Sequence, residues 1–345
     1  MTQADTPGTQ PELNPEANPA EPPPEVSSMG ELLVSPGPHL WRGLSVNRIM
    51  YLVVAALLFP SGAAVYFFGL RALAVIGVSI GFSILTEYAC KRLRNRPFIM
   101  DGSAIVTGLL LALVLPPTIP LWMVALGAIF AIGIAKEAFG GLGHNIFNPA
   151  LAGRAILAVS FSIEMTTWTA PAGFGIDAVT TATPLGESFV WTGSQTALYH
   201  AMFFGNTGGS LGETSALMIL IGGGFLIGMR IINWRIPTIY IGVVALMALG
   251  MGEDPLFHIL AGGLMIGAFF MATDYVTSPL TNRGKIIFAV ALGVLTMMIR
   301  RFGGMPEGVC YSILFMNAIT PLIDRYTKTR PYGVIKKKKV AASAS

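Results

Sequence analysis

Charge is scarce in this chain. Asp, Glu, Lys and Arg make up 12% of its 345 residues, about half the ~25% of an ordinary soluble domain. A water-soluble protein of this size could not cover its surface with so few charges. Cysteine is scarcer still. Cys90 and Cys310 are too few for a disulfide framework or a self-contained iron–sulfur site. No partners stand at metal-ligand spacing around a histidine, so no metal site is expected. A basic groove is missing too. The net charge of +4 is spread along membrane-flanking positions, which excludes nucleic acid as a partner. The N-terminus lacks the basic start and apolar run of a signal peptide. What is present is apolar: hydrophobic residues are 53% of the chain, with 40 glycines and a mean hydropathy of +0.65. Glycine at this level suits close helix packing in lipid. The chain reads as an all-α, polytopic membrane protein.

The ends are set apart by composition. Residues 1–38 hold six acidic residues, many prolines and no Lys or Arg. They read as a disordered, acidic cytoplasmic tail. Residues 331–345, with Lys336, Lys337, Lys338 and Lys339, read as a basic cytoplasmic tail. Between them, residues 39–330 form the membrane domain, with apolar runs at 49–68, 71–90, 102–116, 119–136, 148–163, 213–232, 236–252, 255–273, 285–300 and 307–323. Ten spans are expected. The third and fifth runs are short and flanked by Pro97, Pro116, Pro117 and Pro149. Such segments mark interrupted helices, or merely misjudged boundaries.

The scarce charges are distributed unevenly. With ten spans and a cytoplasmic N-terminus, all but four of the 22 basic residues fall on the cytoplasmic side or in the two tails. The exceptions are Arg71, Arg300 and Arg301, which fall outside, and Arg154, inside a run. The positive-inside rule therefore places both termini in the cytoplasm. It also places the one long loop, 164–212, outside; that loop has no Lys or Arg. Phe139-Gly140-Gly141 recurs as Phe302-Gly303-Gly304, and Gly108 as Gly267. The first tripeptide lies on the inner side and the second on the outer. This pattern fits two inverted five-helix repeats, about 46–163 and 213–326.

Few residues in or beside the runs can carry chemistry. Glu87, Asp101, Glu137, Arg154 and Asp274 are candidates because an ionisable group at a helix centre costs roughly 2.5–3.5 kcal/mol or more. Glu87 and Glu137 adjoin Lys91 and Lys136, so they read either as part of an ion path or as structural ion pairs. Arg154 requires an anion. The stretch Gly140 to Pro149 is rich in Gly and Asn. It is either a turn with an Asn cap or a place where backbone and amides approach a flat ligand. In the outer loop, Asp177-Ala178-Val179-Thr180-Thr181-Ala182-Thr183-Pro184-Leu185 is a hydroxyl-rich run with one carboxylate. Without an activating base its threonines are poor nucleophiles. They could serve as attachment points for an external enzyme, or cap a turn or helix.

These motifs together resemble a known family. The Gly140–Pro149 stretch running on to Gly153-Arg154, Thr273-Asp274-Tyr275 with Ser278-Pro279 and Arg283-Gly284, Pro306-Glu307-Gly308, Met316-Asn317-Ala318 and Pro321 to Tyr326 are similar to the D subunit of the Rnf ion-translocating ferredoxin:NAD+ oxidoreductase. The resemblance covers roughly residues 38–334. It implies a urea-channel-like fold, a place in the bacterial cytoplasmic membrane and the other Rnf subunits as partners. It further implies FMN joined through its phosphate to a threonine by a separate flavin transferase. The family motif Asp-x-x-Ser/Thr-x-Ala-Thr is matched by Asp177, Thr180, Ala182 and Thr183, which assigns the flavin to Thr183. Thr180-Thr181 stands where many members have Ser-Gly, which leaves those two threonines as secondary positions. The resemblance also implies a non-covalent riboflavin, for which Asn145, Asn148 and Arg154 are the expected contacts. Its expected activity is electron transfer coupled to Na+ or H+ translocation. Two alternatives stand beside it: the B subunit of a sodium-pumping NADH:quinone oxidoreductase, and a stand-alone channel or solute transporter.

Overall fold

The computed structural model describes residues 45–171, 183–186, 193–303 and 308–328. Both expected tails, and Asp177, Thr180, Thr181 and Ala182 of the threonine motif, lie outside the described residues. Within them the fold is helical, as the composition requires. The long first helix α1 (Val46–Leu93) starts where Ser45 accepts a hydrogen bond from the Arg48 backbone N–H. At 48 residues it would extend ~72 Å, more than twice the ~30 Å hydrocarbon core of a bilayer. It is broken at Gly69, whose φ of 64° and ψ of −148° are open only to glycine. The break falls in the gap between the first two apolar runs and leaves two stretches of span length.

The next elements are shorter. Helix α2 (Ser103–Leu113) has 11 residues and α4 (Pro149–Ser160) has 12, well under the ~20 of a straight span. Between them α3 (Leu121–Ile129) continues into a π-helical segment, Phe130–Glu137. Helix α4 begins with Asn148 accepting from the Ala150 and Leu151 N–H groups, and Pro149 occupies the first turn. Proline fits there because that N–H lacks a helical partner anyway.

The segment after α4 is described in part. It contains α5 (Ser162–Thr166) and α6 (Gln195–Phe204). The second half then runs through α7 (Ala216–Gly228), α8 (Arg235–Gly250), α9 (Pro255–Leu260) and α10 (Leu264–Ile266). A second π-helical segment, Gly267–Met271, follows, and α11 (Asn282–Phe302) and α12 (Gly308–Thr327) complete the described fold. The eighth apolar run, 255–273, is thus broken, and Gly262 at φ +69° makes the turn. Hydropathy could not show this, because both pieces are equally apolar.

Glycines set the close crossings. A Cβ on Gly108 would lie 2.8 Å from Ile80 Cα, and one on Gly222 would lie 2.5 Å from the Ala56 carbonyl oxygen. Ser79 Oγ donates to the Gly108 carbonyl at 2.7 Å across the first of these contacts. The core around them is almost wholly aliphatic and aromatic, with Tyr240, Phe288, Leu111 and Leu113 fully buried.

Candidate functional site

Three groups of polar residues stand out against this apolar frame. The first joins the ends of α1, α2 and the π segment after α3. Glu87 pairs with Lys91 at 2.7 Å and with Lys136 at 3.2 Å, and all three are buried or half-buried. Lys136 Nζ donates to Ser103 Oγ at 2.6 Å, and Ser103 Oγ donates to Asp101 at 2.5 Å. Burial alone would push the Asp101 carboxyl up. Hydrogen bonds from the Ser103 hydroxyl and N–H, with the charges of Lys136 and Lys91, hold it below the usual carboxylate range. Arg94 faces Glu137 at 3.9 Å. Glu87 and Asp101 therefore lie in one network through Lys136 and Ser103, and Glu137 pairs beside it with Arg94.

The second group lines a cavity. Asn145, Asn148, Lys136, Thr273 and Asp274 contribute the polar atoms, and Phe269 and Phe270 much of the apolar wall. Asn148 Nδ2 donates to the Met271 carbonyl at 3.4 Å. With the Asn317 amide oriented to satisfy its neighbours, its oxygen accepts from the Asn148 N–H at 3.0 Å. Asp274 accepts from the Val276 N–H and from Thr277 Oγ1. A mostly apolar cavity with a few convergent polar groups is the common form of a small-molecule site.

The third group lines a smaller cavity. Thr183, Arg154, Glu213, Arg300, Trp168 and Cys310 are in its wall. Arg154 Nη1 donates to the Val114 carbonyl. Arg300 donates to the His258 carbonyl at 2.7 Å and the Ala261 carbonyl at 2.9 Å. Its Nε is buried and makes no hydrogen bond among the described residues. Thr183 is buried at 8% exposure, and its carbonyl accepts from the Gly186 N–H at 2.8 Å, closing a turn. Asn145 and Asn148 thus stand together in one cavity, while Arg154 stands with Thr183 in the other. The two cavities adjoin: Pro149, Ala150, Phe269 and Phe270 line the first, and Leu151 and Met271 the second.

Known proteins match this chain over most of its length. The model of the NQR2, RnfD, RnfE family matches residues 33–333. The chain belongs to that family. Among curated members, a protein of Clostridium ljungdahlii is 50% identical over 87% of this chain and 96% of its own. It is named as the D subunit of a proton-translocating ferredoxin:NAD(+) oxidoreductase complex. One of Acetobacterium woodii is 49% identical over 90% of this chain and 98% of its own, and is named as the D subunit of the Na(+)-translocating complex. A third, from Stutzerimonas stutzeri, is 41% identical over 84% of this chain and 92% of its own, and is named as the D subunit of an ion-translocating oxidoreductase complex.

For this family member, several residues in the two cavities were not singled out from sequence. Lys136 was legible as a topology charge and as a partner for the neighbouring carboxylates, and Asn317 only within a family motif. Arg300 had left one signal, as a basic residue on the side where basic residues are few. Glu213 had left another, as a carboxylate at the start of an apolar run.

Proposed function

We propose that this chain is the flavin-bearing D-type subunit of an ion-translocating ferredoxin:NAD+ oxidoreductase complex, with FMN on Thr183 and the other complex subunits as electron partners. The observation that carries the reading is the setting of Thr183. It is buried and lines a cavity shared with Arg154 and Arg300. A phosphoester at Thr183 would bring one negative charge to that wall, and the orphaned Nε of Arg300 is a donor suited to it. The residues present fit the group. FMN when bound supplies the redox chemistry, and the chain supplies position and charge.

The cavity of Asn145, Asn148 and Asp274 is the corresponding place for a non-covalent flavin such as riboflavin. Its amides can both donate and accept around a flat heterocycle. Its wall with the Thr183 cavity is formed by the first turn of α4 and the second π segment. Arg154, on the far side of that wall, would act on the tethered flavin.

Ten spans with both termini cytoplasmic, in two inverted halves, complete the reading. Supporting it, loops of the same expected side touch one another. Arg71 donates to the Ile119 carbonyl, and Thr118 to the Thr167 carbonyl. On the other expected side, Tyr275 donates to the Ile231 carbonyl, Arg235 to Asn282, and the Leu280 N–H to Asp324. Identity assigns no coupling ion, since the relatives at 50% and 49% are named for different ions.

Co-expression with a flavin transferase tests the central claim. The band of this chain on a denaturing gel is expected to fluoresce, and the peptide containing Thr183 to carry the mass of FMN. Thr183→Val should abolish both. A fluorescent Thr183→Val band that darkens in Thr180→Val would move the attachment point, and a dark wild-type band would end the reading.

A further inference from the structure

One group in the Thr183 cavity has unused capacity. Arg300 spends two of its guanidinium N–H groups on the carbonyls of His258 and Ala261, at the end of α9 and just beyond it. These bonds fix the head group in the wall. The Nε–H is left buried and unbonded among the described residues. An unmet donor on a charged group is costly, and its burial calls for an acceptor.

Charge points the same way. The described wall of this cavity holds two guanidinium groups, Arg154 and Arg300, and one carboxylate, Glu213. A threonine phosphodiester carries one negative charge and accepting oxygens. It would give Nε a charge-assisted bond. Glycine keeps the approach open: a Cβ on Gly262 would lie 3.2 Å from Arg300 Nη2 and 2.6 Å from Leu185 Cδ1.

We propose that Arg300 is the positioning residue for the phosphate group of a flavin carried on Thr183. This rests on the flavin reading of Thr183. Arg300 holds the phosphodiester against the outer wall through Nε while the carbonyls of residues 258 and 261 hold Arg300. The ring then takes a defined place instead of swinging on a flexible tether.

The test is a comparison of flavin-loaded and unloaded protein, made with and without the transferase. Loading is expected to raise the unfolding midpoint of the wild type, and that increment should be lost in Arg300→Gln. Fluorescence anisotropy of the bound flavin should fall and iodide quenching rise several-fold in Arg300→Gln. Arg300→Lys should restore most of both. A merely structural Arg300 would lower loaded and unloaded midpoints equally, leaving increment and quenching unchanged, and that result overturns the proposal. Should Arg300→Gln not accumulate, Thr183→Val protein can be titrated with free FMN and with riboflavin. Stronger thermal protection by FMN supports the phosphate anchor, and equal protection overturns it. Failure of the underlying reading looks different: the wild type itself carries no covalent flavin, or Thr183→Val still does.

Discussion

At the residue scale, Glu87 and Lys136 form a buried ion pair, and Arg300 keeps a buried Nε–H that meets no acceptor among the described residues. Lys136 is 2% exposed and Glu87 also 2%. Removing the partner of a buried charge is typically worth ~3–5 kcal/mol. Lys136→Met should therefore lower the unfolding midpoint in detergent by many degrees. The shortfall should be partial, because Lys91 still faces Glu87. Asp101 gives a pH dependence with a definite sign. Its folded pKa lies below the unfolded value of 3.8. Its contribution is present above that pH and is lost as pH falls through the lower, folded value. An unfolding-midpoint series through the acid range should show wild type losing stability more steeply than Asp101→Asn. The two converging at low pH is the expected result, and parallel curves would remove Asp101 from the network. Much at this scale was legible from residue type. Glu87, Asp101 and Glu137 were visible as rare charges beside apolar runs. That Glu87 and Asp101 share one network depends on α1, α2 and the π segment meeting, which no local pattern records.

At the scale of elements, the apolar runs gave most helix positions to within a few residues. The misses have a common cause. Hydropathy averages over a window, so it cannot see a change of backbone geometry within an apolar stretch. The π segments, closed by Ala138 N–H to the Gly133 carbonyl and Ala272 N–H to the Gly267 carbonyl, and the turn at Gly262 are all of this kind. Gly69 is the sharpest case. Gly69→Ala should cost about 1–3 kcal/mol, since a side chain there must occupy a sparsely allowed backbone region. In the same helix Gly77 has open space around its Cβ position, and Gly77→Ala should be neutral or slightly stabilising. Thermal unfolding of the two variants side by side checks the contrast. Equal effects would mean that the break at Gly69 tolerates side chains.

At the scale of the whole molecule, the expected topology is open to direct labelling. In a background with Cys90 and Cys310 replaced, Thr167→Cys should react with a membrane-impermeant maleimide added to intact cells. Arg92→Cys should react only after permeabilisation. Both positions are exposed, so reversed labelling would invert the topology, and equal labelling would break the span count. The charge distribution carried this expectation from the start. It also explains why Arg300 and Arg301 fit poorly as topology markers. One is drawn inward to carbonyls and the Thr183 cavity, and the other is tied to Glu253. Charges engaged by the fold cease to report on the side of the membrane.

The break in α1 has a consequence for biosynthesis. In the ten-span arrangement, its two halves are joined by a single residue. No hydrophilic loop exists that could wait on the far side while the second half is made. The two stretches must therefore enter the bilayer together, as one unit drawn in by their joint apolar surface. The passenger on that crossing is Arg71, two residues beyond the break. Its transfer penalty, ~2.5–3.5 kcal/mol at mid-membrane, is a kinetic toll met once. On arrival its guanidinium is relieved by the carbonyl of Ile119, at 2.9 Å, so the fold of the following segments is what locks the first two in place.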